Sequence, residues 1–392
     1  MSGAFPSVST TAPPNPLTGT LDGIRVVDFS QIAAGPLCTM LLADMGADVI
    51  KVEPPSGDVG RSLGPPFANG ESTLFMSLNR NKRSVVINLK SEDGRAEAIR
   101  LIETADVLVE SFRPGVADRL GIGHDVICAL FPNIVYCSIS AYGQTGPWSD
   151  RPGVDGVLQA VTGLMSITGG ENDPPSKVQA PVIDMVTGFQ ATIAVLAALR
   201  QRDHGAALGH LDVSLFASSL MLQQIPLAGY LTTGEPPKRC GSGAPYATPN
   251  EAYKTADGHI LIAAYQPERW HRFCASVGVP DLATDPLYAE LPARMANRQR
   301  LTVLLDGILS RRPTAEWLSV LEANDVICAP VSDYAGVRDS PQIDAVRTLV
   351  TCIHPIAGDV VMPGFAIGGT AIPPRYSSPT LGEHDDVLGN GC

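Results

Sequence analysis

The sequence predicts an α/β protein with a doubly wound parallel sheet between residues 20 and 140, followed by a smaller α+β domain. The first observation behind this prediction is that short apolar segments alternate with segments of helical periodicity. The second is their strand–helix–strand order, because such an alternation implies parallel strands joined by crossover helices. The third is size, since 392 residues with 44% hydrophobic and 17% charged content are enough for two or three domains.

The doubly wound domain is predicted from five strands with helices between them. The predicted strands cover residues 24–29, 48–53, 84–88, 106–110 and 134–138. The helices between them are expected from Pro36 to Met45, from a Ser91 N-cap to Ala105, and from Val116 to Leu130. Ligands of such sheets bind beyond the carboxyl ends of the strands. Those ends carry residues 53–54, 88–90, 111–113 and 140–143.

Basic residues collect in the same region of an otherwise acidic chain. Between residues 61 and 90, Glu71 is the single acidic residue against Arg61, Arg80, Lys82, Arg83 and Lys90. Arg113 and Arg119 follow. Any one of these cations, taken alone, is best explained as a residue of the solvent-exposed surface. Taken together, they are equally well explained by a pocket for a ligand with two or three phosphate groups, because arginine and lysine side chains are the usual hydrogen-bond donors to phosphate.

After residue 140 the predicted helices and strands no longer alternate regularly. Helices are predicted over residues 155–168 and 214–231, with a short strand at 211–213 between them. A hairpin over 251–263 turns at Asp257-Gly258, and three helices (266–277, 296–311, 314–323) and a strand (326–331) follow. We therefore expect a flexible tail (1–18), a large domain (19–231), a linker (232–245), a small α+β domain (246–335) and a return segment (336–392) that completes the large domain.

Composition argues against several classes of protein. The formal net charge of −12 disfavours a general nucleic-acid binder. Eight cysteines are scattered without a CxxC pair, which fits free thiols in a reducing cytosol better than disulfides or a zinc site. The N-terminus has no signal-peptide pattern, and we find no apolar run of about 18 residues free of charges or breakers. The sequence thus predicts a cytoplasmic protein that does not span a membrane.

Asp184 stands where a long apolar helix begins, with apolar residues recurring at helical spacing from Met185 onward. One interpretation is an N-cap, whose carboxylate accepts the amide of Val186 or Thr187. The other is a reactive carboxylate, held at the positive end of the helix and directed into a cleft. The residues around Asp184 leave both interpretations open.

The absence of known catalytic motifs disfavours several classes of reaction. The sequence has no HExxH, Walker A or GxSxG motif, which disfavours metalloprotease, P-loop and α/β-hydrolase chemistry. No histidine occurs between His124 and His204, so a Ser–His pair near the middle of the chain is also disfavoured. Asp184 remains as the candidate nucleophile or base.

A series of ordered motifs resembles the family III CoA-transferases, the carnitine/bile-acid CoA-transferase group. The resemblance extends from about residue 20 to 388. Its motifs are LDGIRVVDFS (21–30), AAGP (33–36), LADMGADVIKVEP (42–54), LNRNKRS (78–84), ESFRPG (110–115), YGQTGP (142–147), RPGVD (151–155), PVID (181–184) and PTLGEH (379–384).

The resemblance implies an interlaced, ring-like homodimer. In each subunit a Rossmann-like, CoA-binding large domain, built from both chain ends, is joined by linkers to the small α+β domain. The active site is then expected between the large domain of one subunit and the small domain of the other. By position in the motifs, Asp184 corresponds to the nucleophile of the family. The implied CoA contacts are Ile32, Ala33, Pro54, Ile87, Asn88, Leu89, Lys90, Ser111, Phe112, Arg113, Arg119 and residues 151–154, from Arg151 to Val154.

The implied activity moves CoA from an acyl-CoA, with succinyl-CoA as the preferred donor, to a small carboxylic acid through covalent intermediates on Asp184. CoA thioesters are the substrates, and no permanently bound cofactor, metal, nucleic acid or membrane is expected. Gly241 and Gly243 shape a substrate loop or are simple linker turns; the formyl-CoA branch has more glycines there. Alternatives are an α-methylacyl-CoA racemase, disfavoured because its His–Asp pair is missing, and a non-catalytic CoA-binding protein.

Overall fold

A computed structural model describes residues 14–389 and divides them into two compact units. The first unit contains residues 14–162, 179–224 and 341–389, and the second contains residues 163–178 and 225–340. Residues 163–178 and 225–231, which we expected in the large domain, therefore belong to the second unit. Residues 1–13 of the expected tail lie outside the described residues. Asn15 is buried and its side chain donates to the carbonyls of Phe365 and Thr370, so residues 14–18 pack onto the first unit.

The described residues form strands and helices in alternation through most of the first unit. The strands are β1 Arg25–Asp28, β2 Asp48–Glu53, β3 Phe67–Ala68, β4 Glu71–Ser72, β5 Lys82–Val86, β6 Val107–Glu110, β7 Val135–Ser140, β8 Leu211–Ser214, β9 Asn250–Lys254, β10 His259–Ala263, β11 Ile327–Pro330, β12 Leu349–His354, β13 Gly358–Pro363, β14 Ala366–Ile367 and β15 Thr370–Ala371. The helices are α1 Ala34–Asp44, α2 Thr73–Leu78, α3 Glu92–Glu103, α4 Val116–Arg119, α5 His124–Leu130, α6 Asp155–Val161, α7 Leu164–Ile167, α8 Val182–Asp203, α9 Leu215–Leu222, α10 Gln224–Thr233, α11 Pro267–Ser276, α12 Leu291–Ala296, α13 Arg298–Leu309, α14 Thr314–Ala323, α15 Tyr334–Arg338, α16 Pro341–Val346 and α17 Asp386–Gly389.

A six-stranded parallel sheet in the order β5-β2-β1-β6-β7-β8 is the centre of the first unit. The predicted α/β class with a parallel sheet is therefore confirmed. Successive side chains of a strand point to opposite faces. Val26 accordingly joins the core that contains α1 and α8, and Val27 joins the core that contains α3 and α5. Because β1 lies between β2 and β6, the chain changes its winding direction there, and the loops after β1 and β6 meet at the switch point.

Glycines break two of the helices that periodicity predicted as continuous. Residues 116–130 form α4 and α5, which are separated by a turn where Gly121 has a φ of +79° and where a Cβ at Gly123 would lie 1.9 Å from the Asp118 carboxylate. Residues 155–168 form α6 and α7, which are separated by Gly163 with a φ of +91°. The predicted helix 214–231 likewise divides into α9 and α10.

Helix α8 is, by length and composition, apolar enough to cross a membrane, although we found no such run in the sequence. Its Ile183, Ala191 and Val195 are fully buried in the core beside the parallel sheet. One side of α8 therefore belongs to the core of the first unit, while Ile193 on this helix is exposed.

The second unit is built on the three-stranded antiparallel sheet β11-β10-β9. The predicted hairpin is present as β9 and β10, and the Asp257 carboxylate in its turn accepts the amide of Thr314, at the start of α14. The fully buried side chains of Trp270, Phe273 and Leu305 belong to a separate core of this unit.

Candidate functional site

The candidate site lies at the switch point of the sheet, where the loops after β1 and β6 come together. The Gln31 amide, in the loop after β1, donates to the Ser111 hydroxyl, in the loop after β6, over 3.0 Å. This contact brings the predicted CoA contacts Ile32 and Ala33 next to the predicted contacts that begin at Ser111. Helix α1 begins after Ala33 without a side-chain cap, so its first amides point at the space beyond the strand ends.

A cavity of about 280 Å³ brings together seven of the predicted CoA contacts. Its lining includes Ser111, Phe112, Arg113 and residues 151–154, from Arg151 to Val154. The exposed Arg151 guanidinium lies over the Trp148 ring at 4.8 Å, which orients that cation at the cavity rim. The site thus has two arginines at an opening at the carboxyl end of the sheet.

The remaining predicted contacts do not line this cavity. Asn88, Lys90 and Arg119 are exposed, Pro54 and Leu89 are half-buried, and the side chain of Ile87 is buried. Because Ile87 is buried in the core between the sheet and α3, its backbone alone is available to a ligand.

The basic cluster between residues 61 and 90 is largely structural. Four of its five cations pair with carboxylates of the first unit, and only Lys90 is left exposed. The four pairs are Arg61–Glu53, Arg80–Asp44, Lys82–Asp28 and Arg83–Asp48. The cations open to a phosphate are therefore Lys90, Arg113, Arg119 and Arg151, which are all exposed.

Asp184 is the third residue of α8, and it is not the N-cap. The N-cap position belongs to Pro181, which has no capping side chain. The amides of Ile183 and Asp184 are instead taken by the carboxylate of Asp155, at 2.8 and 3.3 Å, from the first turn of α6. Within residues 14–389 the carboxylate of Asp184 itself accepts no hydrogen bond, so it is available for chemistry.

Burial raises the pKa of Asp184 to about 7, and the nearby Asp155 carboxylate adds to the shift. A carboxylate with such a pKa is partly ionised at neutral pH, and it is poorly solvated when it ionises. Strongly shifted groups of this kind are typical of functional sites.

The pKa of Asp184 predicts how activity depends on pH. If the ionised carboxylate reacts, kcat/KM should be constant above pH 7 and fall about tenfold per unit below it, since this parameter reports the free enzyme. Initial rates between pH 5 and 9, with buffers matched in ionic strength, test this. A constant rate down to pH 5 would contradict the role of Asp184.

Helix packing sets the direction of the Asp184 side chain. A Cβ at Gly188 would lie 2.8 Å from the Ala34 carbonyl and 2.8 Å from the Leu37 side chain, so glycine allows α8 to touch α1. Asp184 precedes Gly188 by four residues and hence lies on the same face of α8. That face is directed toward the start of α1 and the loop that contains Ile32.

A second cavity, of about 700 Å³, lies beside the first turn of α8. Its wall includes Pro181, about one helical turn before Asp184. Another wall residue, Leu74, packs on the same apolar cluster as Met185. No charged side chain is present in its lining, which consists of Leu63, Gly64, Pro65, Pro66, Thr73, Leu74, Ser77, Gln179, Pro181, Val360, Val361, Met362 and Pro363.

Three acidic residues of the site were missed by sequence reasoning. Asp155 caps α8, Asp58 accepts the Ile32 amide at 3.1 Å, and Glu110 accepts the Phe112 amide at 2.7 Å. Burial raises the pKa of Glu110 to about 7. Asp155 lies in the RPGVD motif and Glu110 in the ESFRPG motif, and these motifs are the signal by which the sequence could have identified the two residues. Asp58 also accepts the nearby Gly60 amide at 2.7 Å, but its contact with Ile32 spans 26 residues, and nothing in the sequence marked that contact.

Gly241 and Gly243 lie in the second unit. Gly241 has a φ of +61°, and its amide donates to the Gly169 carbonyl. A Cβ at Gly243 would meet the Arg298 guanidinium at 1.6 Å. Local structure therefore accounts for glycine at both positions. A role of these glycines in a substrate loop stays a proposal. Among residues 14–389 no cluster of three or more His, Cys, Asp or Glu could hold a metal.

The parallel sheet and its switch-point loops are those of a ligand-binding α/β protein. The chain belongs to CoA-transferase family III, whose family model matches residues 21–385. It is therefore a CoA-transferase of acyl-CoA metabolism.

Relatives over nearly the whole length agree with this assignment. The chain is 36% identical over 374 residues to the succinyl-CoA:glutarate CoA-transferase of Mus musculus, covering 93% of this chain and 84% of the relative. It is 36% identical over 383 residues to the acetyl-CoA:oxalate CoA-transferase of Acetobacter aceti, covering 96% and 97%. The crystal structure of a CAIB/BAIF family protein from Brucella suis matches with a TM-score of 0.85 at 32% identity, covering 96% of this chain and 99% of that one.

Proposed function

We propose that this enzyme moves CoA from an acyl-CoA, with succinyl-CoA as donor, to a small carboxylic acid through covalent intermediates on Asp184. The observation that carries the proposal is the state of this carboxylate. It lies in the first turn of a core helix with a pKa raised to about 7, and Asp155 performs the capping that Asp184 would otherwise perform.

The first half of the reaction transfers CoA to the enzyme. An Asp184 carboxylate oxygen attacks the thioester carbonyl of the donor, the C–S bond breaks, and CoA thiolate leaves a mixed anhydride on Asp184. The thiolate then attacks the Asp184 carbonyl, the anhydride C–O bond breaks, and the donor acid leaves as a carboxylate. Asp184 is now a CoA thioester.

The second half reverses these steps with the acceptor. Its carboxylate attacks the Asp184 thioester carbonyl, expels CoA thiolate and forms a new anhydride. The thiolate attacks the acceptor carbonyl, which releases the acceptor as its CoA thioester and restores the Asp184 carboxylate. Each step exchanges one activated acyl group for another, so the exchange needs no external energy source.

Two observations bear on the acceptor acid. The relatives named above act, by their names, on glutarate and oxalate, which favours a short dicarboxylic acid. The 700 Å³ cavity beside Pro181 has no charged lining residue, which favours an acid with an apolar body. We propose the dicarboxylic acid as the first candidate and the apolar acid as the second.

A screen of donors against acceptors tests the proposed function. The enzyme is incubated with succinyl-CoA or acetyl-CoA and one acid at a time, and new thioesters are identified by mass spectrometry. Glutarate and oxalate represent the first class, and branched aliphatic and aromatic monocarboxylic acids represent the second. We expect a new acyl-CoA with members of one class, while hydrolysis alone with every pair would refute CoA transfer.

We further propose an interlaced, ring-like homodimer in the cytoplasm, in which both chain ends form the large domain and the active site lies between subunits. Exposed apolar side chains support the dimer. Helices α6, α8 and α9, which contact one another, expose Val157, Ile193 and Met221, and Ile193 is 68% exposed. Large apolar side chains exposed on neighbouring helices often mark an interface, so a partner is expected to cover them.

Ile193→Glu should therefore disrupt the assembly, because it places a charge among the exposed apolar side chains of the proposed interface. We expect the wild type to have the mass of a dimer in light scattering coupled to size-exclusion chromatography, and the variant to shift toward monomer. Val303→Glu is the control, since Val303 is 69% exposed on a helix of the second unit. A monomeric wild type would contradict the proposal.

A further inference from the structure

Ile32, one of the predicted CoA contacts, has an unusual backbone conformation. Its φ is +70°, in the left-handed region that β-branched residues avoid. Such a conformation is strained and persists only where the surroundings enforce it.

Three consecutive amides of this loop are held by side chains from the end of β1, from the loop after β6 and from the loop after β2. The contacts are the Ser30 amide to Asp28 at 2.9 Å, the Gln31 amide to Ser111 at 3.0 Å, and the Ile32 amide to Asp58 at 3.1 Å. Of these acceptors, Asp58 is the one that binds the strained residue itself.

Asp58 is fixed in turn by a buried lysine. The ammonium of Lys51 lies 2.7 Å from the second carboxylate oxygen of Asp58 and donates to the Ser30 carbonyl at 2.8 Å. Lys51 is fully buried and Asp58 is 2% exposed. The pair thus clamps the loop from two sides, through the Ser30 carbonyl and the Ile32 amide. Breaking a buried pair of this kind leaves an uncompensated buried charge, so each partner holds the other in place.

We propose that Asp58 is a positioning residue for CoA binding: with Lys51 it holds Ile32 in the left-handed conformation and so sets the loop that enters α1. This inference rests on the proposed function, because it assumes that Ile32 and Ala33 contact CoA. Without Asp58, the Ile32 backbone is expected to relax into the extended region. Ala33 and the free amides at the start of α1 would then move away from their ligand.

Glycine at position 32 provides the test, because glycine adopts a positive φ without enforcement. Steady-state kinetics are measured for the wild type, Ile32→Gly, Asp58→Asn and the double variant. We expect Asp58→Asn to raise the KM for acyl-CoA about tenfold, with a smaller change in kcat. In the Ile32→Gly background the same substitution should raise KM less than about threefold relative to that background.

The control is Asp48→Asn, at the opposite end of β2. Asp48 is also ion-paired, to Arg25 and Arg83, but it does not contact the loop. Its substitution should leave the KM for acyl-CoA unchanged in both backgrounds. If Asp58→Asn does not fold, the pair Lys51→Met/Asp58→Asn removes both buried charges and is compared in the same two backgrounds.

The outcomes separate this inference from the proposed function. An inactive wild type would refute the proposed function. An active wild type in which Asp58→Asn raises KM equally in both backgrounds, or not at all, would overturn the positioning role alone. Recovery in the glycine background is not expected of a residue that merely supports the fold.

Discussion

Asp184→Asn is expected to lower the rate of CoA exchange by at least about 10⁴-fold, the scale of loss seen when a covalent nucleophile is removed. An amide cannot displace CoA thiolate from a thioester, so neither the anhydride nor the enzyme thioester can form. CoA binding should remain, because the proposed CoA contacts are on other loops. Isothermal titration with CoA and exchange assays, both at pH 8, measure the two properties separately.

Asp184→Asn is also expected to change the free energy of unfolding in a pH-dependent way. The folded pKa of Asp184, about 7, is above its ordinary value of 3.8, so the stability associated with the protonated group is complete below pH 3.8 and is lost as pH rises through 7. Asp184→Asn should therefore be more stable than the wild type at pH 8, by up to about 4 kcal/mol, with the gain vanishing toward pH 4.

Asp203→Asn, at the last residue of α8, is the control for both signatures. Its side chain is 70% exposed, so little change in activity or melting temperature is expected. Full activity of Asp184→Asn would exclude the nucleophile, and equal stability at pH 8 would contradict the burial of its charge.

Asp155→Ala is expected to reduce exchange by about a hundredfold at pH 8, because the first turn of α8 loses its cap and Asp184 moves from its place. The variant also removes a negative charge near Asp184, so the pKa of Asp184 should fall. The pH–rate profile should thus shift to lower pH while its plateau drops. A lower plateau with an unshifted profile would mean that the two carboxylates do not interact.

Asp155→Asn is the matched comparison for this variant. Its amide oxygen can still accept the amides of Ile183 and Asp184, while the charge is lost. We expect a smaller loss of rate than with alanine but a similar shift of the pH profile. Equal losses for the two variants would argue against the capping role.

Local sequence signals predicted the parts of the fold that depend on neighbouring residues. The parallel strands follow from short apolar segments, the Ser91 cap of α3 from its residue type, and the hairpin of the second unit from Asp257-Gly258. Sequence periodicity did not predict the breaks at Gly123 and Gly163, because each depends on backbone geometry and close contacts that periodicity does not record.

The site was less accessible to sequence reasoning because its supporting contacts are long-range. Asp155 caps a helix that begins 27 residues later, and Asp58 binds the Ile32 amide from 26 residues away. The basic cluster was misleading for the same reason. Arg80 and Lys82 look like phosphate ligands until their partners Asp44 and Asp28, far away in sequence, are known. The prediction for Asp184 came from the motif, and the interpretation as an N-cap was wrong.

The most direct test of the covalent mechanism is to trap the intermediate. The enzyme turns over succinyl-CoA in the presence of hydroxylamine, which converts an activated carboxylate into a hydroxamate, and the peptide that contains Asp184 is then analysed by tandem mass spectrometry. The proposed mechanism predicts loss of activity together with a hydroxamate on Asp184, both dependent on acyl-CoA. Exchange that continues with an unmodified Asp184, or a hydroxamate on another residue, would contradict it.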